Sequence, residues 1–99
     1  MGDLSLDPAT REVRRADVAL TLTPREFSLL EYFMRHPQET LSRTRLVDHV
    51  WDDAFDGDLH VVNVYVAYLR DKIDRPFSRS SLQTVRGAGF RLCDDTVDD

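Results

Sequence analysis

The chain has 99 residues, of which 41% are hydrophobic and 31% charged, with a formal net charge of −5 at pH 7. This length and balance describe one domain with a modest core of its own, and no apolar run approaches the roughly 20 residues of a membrane-spanning helix. A single cysteine, Cys93, excludes an internal disulfide and fits a reducing, cytoplasmic setting, and no secretory pattern stands at the N-terminus.

Met1-Gly2 runs almost at once into patterned sequence, as an excised piece of a longer protein would. Leu4-Ser5-Leu6-Asp7 alternates apolar and polar, Asp7-Pro8-Ala9-Thr10 is a turn signal, and Arg11 to Arg15 reads as a second short strand. Val18, Leu20 and Leu22 alternate again after an Ala16-Asp17 turn. Three such segments make an antiparallel meander with one apolar face, which needs a layer beneath it. Thr23-Pro24-Arg25-Glu26 is a helix start with a capping residue, proline at the first position and a capping box. Phe27, Leu30 and Met34 form the expected buried stripe, widened by Leu29 and Phe33, and His36-Pro37 ends the helix. Ser42 caps a shorter helix with Leu46, Val47, Val50 and Trp51 at helical spacing.

Asp58 to Asp74 reads as the longest helix. Val62, Val66, Leu69 and Ile73 make its stripe, and Asp58 is placed to accept free N–H groups at its start. Its second face is unusual: Val61, Val64, Tyr65 and Tyr68, with Lys72 at the far end, stand where a surface helix would carry Glu, Lys and Gln. Leu82 to Val85 and Phe90 to Cys93 then form a hairpin through Arg86-Gly87-Ala88-Gly89. Residues 94–99 read as a polar, frayed tail on a domain spanning 1–93.

The net charge conceals an asymmetry. Acids concentrate in Asp52, Asp53, Asp56 and Asp58 and again in Asp94, Asp95, Asp98 and Asp99, whereas His60 to Cys93 carries six cations against two anions. A short helix, a long helix and a hairpin, with a basic second half, is the layout of a winged helix-turn-helix.

Four blocks of sequence carry a closer likeness. Leu22-Thr23-Pro24-Arg25-Glu26-Phe27, Leu41-Ser42-Arg43 with Val50-Trp51, Val61 to Val66 with Tyr68-Leu69-Arg70, and Gln83 to Leu92 stand in order and at the spacing of one family. The chain resembles the C-terminal DNA-binding domain of OmpR/PhoB-type two-component response regulators. The resemblance implies an α+β fold with an N-terminal four-stranded antiparallel sheet, a three-helix core and a C-terminal β-hairpin wing. It also implies promoter double-stranded DNA as partner, bound in pairs on direct repeats, and an upstream receiver domain outside this chain. The family commonly has Asp where Asn63 stands and more often a basic residue where Asp71 stands, and many members carry Arg where Tyr68 stands, although Tyr occurs there too.

On that reading the long helix enters the major groove. Val61 and Val64 meet thymine methyls, Tyr65 and Tyr68 reach base edges or phosphates, and His60, Asn63, Arg70 and Lys72 complete the surface. The structural alternative is that Val61 and Tyr65 merely widen the core stripe. Lacking a central arginine, the face reads sequence partly through DNA shape. In the wing, Thr84 and Gly87 hold backbone while Arg86 enters a minor groove, a solvated turn arginine being the alternative. Arg43, Thr44 and Arg45 open the second helix, where basic residues oppose the helix dipole unless a phosphate lies there. Trp51 is either half phosphate contact or core alone.

The acidic loop fails as a calcium site, with Ala54 at the third position and Asn63 at the twelfth. By resemblance Asp53, Phe55 and Asp56 contact RNA polymerase, a solvated loop being the alternative. His36, His49 and His60 are scattered with no metal-ligand spacing, so no metal, cofactor or enzymatic activity is expected. The isolated domain is expected to be monomeric. A rival function is a winged helix whose apolar face docks another protein.

Overall fold

In the computed structural model, described for residues 2–51 and 58–94, the chain begins with strands β1 (Leu4–Asp7), β2 (Glu12–Arg15) and β3 (Val18–Leu20). They pair antiparallel in that order, with Leu6 opposite Val13 and Val13 opposite Leu20. Leu4 and Val13 turn their side chains into the core. Among the described residues this sheet has three strands, not the four implied by the resemblance. The residues explain the difference locally: Thr23 commits the chain to a helix only three positions after β3 ends, leaving Thr21 and Leu22 as a connection.

Helix α1 (Pro24–Arg35) starts as its sequence dictates. The Glu26 N–H donates to Thr23 Oγ1 and the Thr23 N–H to Glu26 Oε1, a reciprocal capping box, with proline in the first turn. Leu29, Leu30 and Phe33 are fully buried, while Met34, expected on the stripe, is only half-buried. The buried sector is rotated towards Leu29 and Phe33 because α1 packs against both other helices. Helix α2 (Arg43–Val50) is capped by Ser42, whose hydroxyl accepts the Arg45 N–H.

Helix α3 (His60–Ile73) buries Val62, Val66, Leu69 and Ile73 completely. It begins two residues later than Asp58. Leu59 occupies the cap position with helical dihedrals and no side-chain bond, yet the Asp58 carboxylate still accepts the His60 N–H at 2.8 Å from one residue further out. After a 3-10 turn (Arg75–Phe77), strands β4 (Leu82–Val85) and β5 (Gly89–Leu92) form the hairpin.

Two ties fix this hairpin and the N-terminal sheet to the helices. Leu41 exchanges both backbone hydrogen bonds with Phe90, at 2.8 and 3.0 Å, so the segment before α2 extends the hairpin. The approach requires glycine at 89: its φ is +142°, and a Cβ there would lie 2.0 Å from the Leu41 carbonyl oxygen. The second tie is polar. Arg15, 1% exposed, donates to Ile73 O, Asp74 Oδ1 and Ser81 Oγ, while the Leu82 N–H donates to Asp74 Oδ2. The Arg15 Nε lies 3.4 Å from Asp3 Oδ1, attracted to it without hydrogen-bond geometry, and Arg79 donates to the other Asp3 oxygen. One buried guanidinium thus joins β2, the end of α3 and the start of β4.

Candidate nucleic-acid interface

With the Val62–Val66–Leu69–Ile73 stripe buried, the opposite ridge of α3 is fixed at about 100° per residue as His60, Val64, Ala67, Tyr68 and Asp71. Tyr68 is 48% exposed. Val61 and Tyr65 stand on one flank and pack against the core, as the structural alternative had it; Val64 and Tyr68 do not. Ala67 and Asp71 belong to the ridge although the sequence reading passed over them as site residues. The same angular count would have found them.

The flank towards α1 is aromatic. Trp51, half-buried, meets the edge of Tyr65 at 5.5 Å between ring centroids, and Tyr65 meets Tyr68 in the same manner at 5.5 Å. Arg25 stacks over Trp51 at 5.2 Å and donates to the Val50 carbonyl. Lys72 does not extend this face. Its ammonium turns to the buried Glu26 carboxylate, 2.6 Å away. Burial pushes the Glu26 carboxyl up, but hydrogen bonds from Lys72 and the Thr23 N–H outweigh that and hold it below its ordinary value.

The flank towards the hairpin is cationic. Arg43 donates through Nε to Asn63 Oδ1 at 2.7 Å, so the first turn of α2 is bonded to α3. Arg70 donates to Leu82 O and to Thr84 Oγ1, bonding α3 to the wing; burial lowers its pKa, aided by Arg75 and opposed by Asp74. Both guanidiniums stand over the Phe90 ring, at 5.0 and 5.9 Å. Beyond them Thr84, Arg86 and Gly87 are exposed at the wing, with Gly87 at a φ of +78°. Arg91, which the sequence reading did not single out, donates to Gln83 on the neighbouring strand.

The cations divide into two groups. Arg15, Arg35, Arg45, Lys72, Arg75 and Arg79 are each paired with a carboxylate. Among the described residues seven arginines are not: Arg11, over the Phe27 ring, and Arg14, which donates to Asp17 O, lie at the N-terminal sheet, while Arg25, Arg43, Arg70, Arg86 and Arg91 lie at α3 and the wing. Of the remaining expected site residues, Thr44 is exposed, while Arg45 pairs with Glu39 and donates to Tyr32 Oη at 2.9 Å. Its hydrogen bond is the chief cause holding the Glu39 carboxyl below the usual range. Asp53, Phe55 and Asp56 lie outside the described residues. Among those described, no group of His, Cys, Asp and Glu is arranged to hold a metal ion, and no helix is long and apolar enough to cross a membrane.

The family model "Transcriptional regulatory protein, C terminal" matches residues 17–92. The transcriptional regulatory protein TcrA of Mycobacterium tuberculosis is 49% identical over 94 residues, covering 95% of this chain and 37% of that protein. CusR of Escherichia coli K12 is 45% identical over 92 residues, covering 93% of this chain and 40% of its own. The chain therefore spans well under half the length of these relatives. The DNA-binding domain of the response regulator AdeR, solved with an intercistronic region, superposes with a TM-score of 0.86 at 26% identity, covering 95% of this chain and 97% of that one. The RstA DNA-binding domain of Klebsiella pneumoniae, solved with the RstA box, gives 0.83 at 26% identity, covering 94% and 93%. The aromatic and cationic flanks of α3 thus stand on the fold of solved response-regulator domains, and the chain belongs to the family of transcriptional regulatory protein C-terminal domains, the DNA-binding effector domains of OmpR/PhoB-type response regulators.

Proposed function

We propose that the domain binds promoter DNA sequence-specifically, with α3 in the major groove and the β4–β5 wing over the adjoining minor groove. The observation that carries this is the position of Arg25, Arg43 and Arg70, which lack a carboxylate partner among the described residues and flank the α3 ridge, where a polyanion would supply the missing charge. Val64 and the ring of Tyr68 read the groove by apolar contact, Arg86 takes the minor groove, and Arg43, Thr44 and Trp51 hold phosphates. His60, Asn63, Val61, Tyr65 and Gly87 support that surface, and Arg70 links it to the wing through Thr84. Lys72 serves it indirectly, through Glu26.

In the whole protein the proposed partners are a receiver domain, a second copy on a direct repeat, and RNA polymerase through Asp53, Phe55 and Asp56. The isolated domain is a monomer, residues 1–93 are its folding unit, and its setting is the cytoplasm. The relatives' greater length supports a further domain, and their names support a role in transcription.

Selection of bound sites from a random duplex pool, followed by titration at several salt concentrations, tests the proposal. Affinity should fall linearly with salt on logarithmic axes, with a slope of about −0.9 per phosphate contact. The apolar centre of the ridge also fits a protein-docking role, and a domain that ignored every duplex would belong to that second reading.

A further inference from the structure

An open groove of about 590 Å³ runs between the first turn of α1 and the aromatic flank of α3, lined by Thr23, Arg25, Glu26, Tyr65 and Tyr68 among others. Its occupant is constrained from three sides. Tyr68 belongs both to this groove and to the α3 ridge, so the groove is continuous with the proposed DNA surface. Arg25 faces it with one donor on the Val50 carbonyl, its Cζ 5.2 Å from the Trp51 ring centroid, and no carboxylate among the described residues. A guanidinium presents five N–H donors in a planar fork, so capacity for an anion remains. The one acid in the lining, Glu26, is neutralised by Lys72 and the Thr23 N–H, and does not compete for Arg25.

A helix lying in a major groove is bordered by a sugar-phosphate strand on each side. Arg43, Arg70, Arg86 and Arg91 lie on the wing side. We infer that the groove between α1 and α3 holds a backbone phosphate of the strand on the other side, with Arg25 as its cation and the Tyr68 hydroxyl as a second donor. This rests on the DNA-binding proposal above and assigns a phosphate contact to α1. The Val50 hydrogen bond and the cation–π contact with Trp51 hold the guanidinium in place before DNA arrives, which reduces the ordering cost of the contact.

Arg25 also caps the C-terminus of α2 through Val50, so loss of affinity on its removal would not by itself distinguish the two roles. Salt dependence does. Arg25→Gln should reduce the magnitude of the salt slope by about 0.9, one phosphate's worth, while Arg25→Lys should keep the wild-type slope. In parallel, duplexes bearing a neutral methylphosphonate at one position at a time should reveal a phosphate on the α1 side whose neutralisation weakens the wild-type domain and leaves Arg25→Gln unaffected. Should Arg25→Gln fail to fold, Tyr68→Phe replaces it in the methylphosphonate scan, with the penalty expected to shrink at that same phosphate. A slope unchanged by Arg25→Gln, or penalties that are the same in wild type and variant at every phosphate, overturns the inference while leaving DNA binding intact. A wild-type domain with no salt-dependent duplex binding overturns both.

Discussion

Lys72 Nζ lies 2.6 Å from Glu26 Oε1 and joins the last turn of α3 to the first turn of α1. Glu26 is 3% exposed, so its charge depends on that partner and on the Thr23 N–H. The folded protein binds the Glu26 proton more weakly than the unfolded chain does, because the folded pKa is lowered from 4.5. The stability it contributes is therefore complete above the unfolded value and is lost as pH falls through the folded one. Lys72→Met should cost about 1–3 kcal/mol at neutral pH, tempered by solvent access to Lys72. With burial then dominating, the Glu26 pKa should rise, and mild acid should stabilise the variant relative to wild type. Urea unfolding across the acid range checks this; parallel pH profiles would refute it.

The hairpin provides a test of backbone constraint. Gly89→Ala places a Cβ against the Leu41 carbonyl at a strained φ, whereas Gly87→Ala meets open space and only the φ penalty. The strain itself is on the order of 1–3 kcal/mol at either position. Gly89→Ala should exceed Gly87→Ala because the Leu41–Phe90 bridge must also yield. Thermal melts of the two variants give the ordering directly, and equal losses would mean that the bridge does not constrain the wing.

Removing Asp74 leaves Arg15 buried without its nearest carboxylate. Asp74→Ala should cost about 3–5 kcal/mol, a scale set by uncompensated buried charge and not by the pair's own net value. The loss should be much smaller in an Arg15→Met background, where no guanidinium remains to strand. Additive losses in this double-mutant cycle would argue against coupling between them.

Much of this architecture was legible in the chain. The helix starts at Thr23 and Ser42, the α3 stripe and the glycine-turned hairpin are local signals, and local sequence is sufficient to specify them. What was hidden is long-range. Nothing near Arg15 marks it as the buried guanidinium, because its hydrogen-bond partners lie 58 to 66 positions away. Lys72 read as part of the exposed face for the same reason: angular position on α3 does not show that a long side chain can reach Glu26 on α1. The angular count did separate Val64 and Tyr68 from Val61 and Tyr65, since depth on a helix follows from periodicity.

Tyr68 and Arg86 should affect DNA binding differently. Tyr68→Ala removes a half-exposed ring from the ridge, and should relax sequence preference at the base pairs it faces with little change in melting temperature. Arg86→Ala should weaken cognate and random duplexes alike and lower the salt slope by about 0.9. Competition binding against site variants separates the two patterns. If neither substitution changed cognate affinity, α3 and the wing would not be the DNA surface.

Arg45 is the cation whose expected role conflicts with its present partner. As a phosphate contact at the first turn of α2 it would need a free guanidinium, but Glu39 holds it and Tyr32 takes a further donor. The Glu39 carboxyl is held low chiefly by that hydrogen bond, so at neutral pH it stays charged and bound to Arg45. If phosphate and Glu39 compete for one guanidinium, Glu39→Gln weakens the competitor without removing the side chain. Duplex affinity should then rise and the salt slope should steepen, and Arg45→Gln should abolish both gains. An unchanged slope in Glu39→Gln would confine Arg45 to joining the Glu39 segment to α2 and α1, leaving Arg43 and Thr44 as the phosphate contacts of the α2 start.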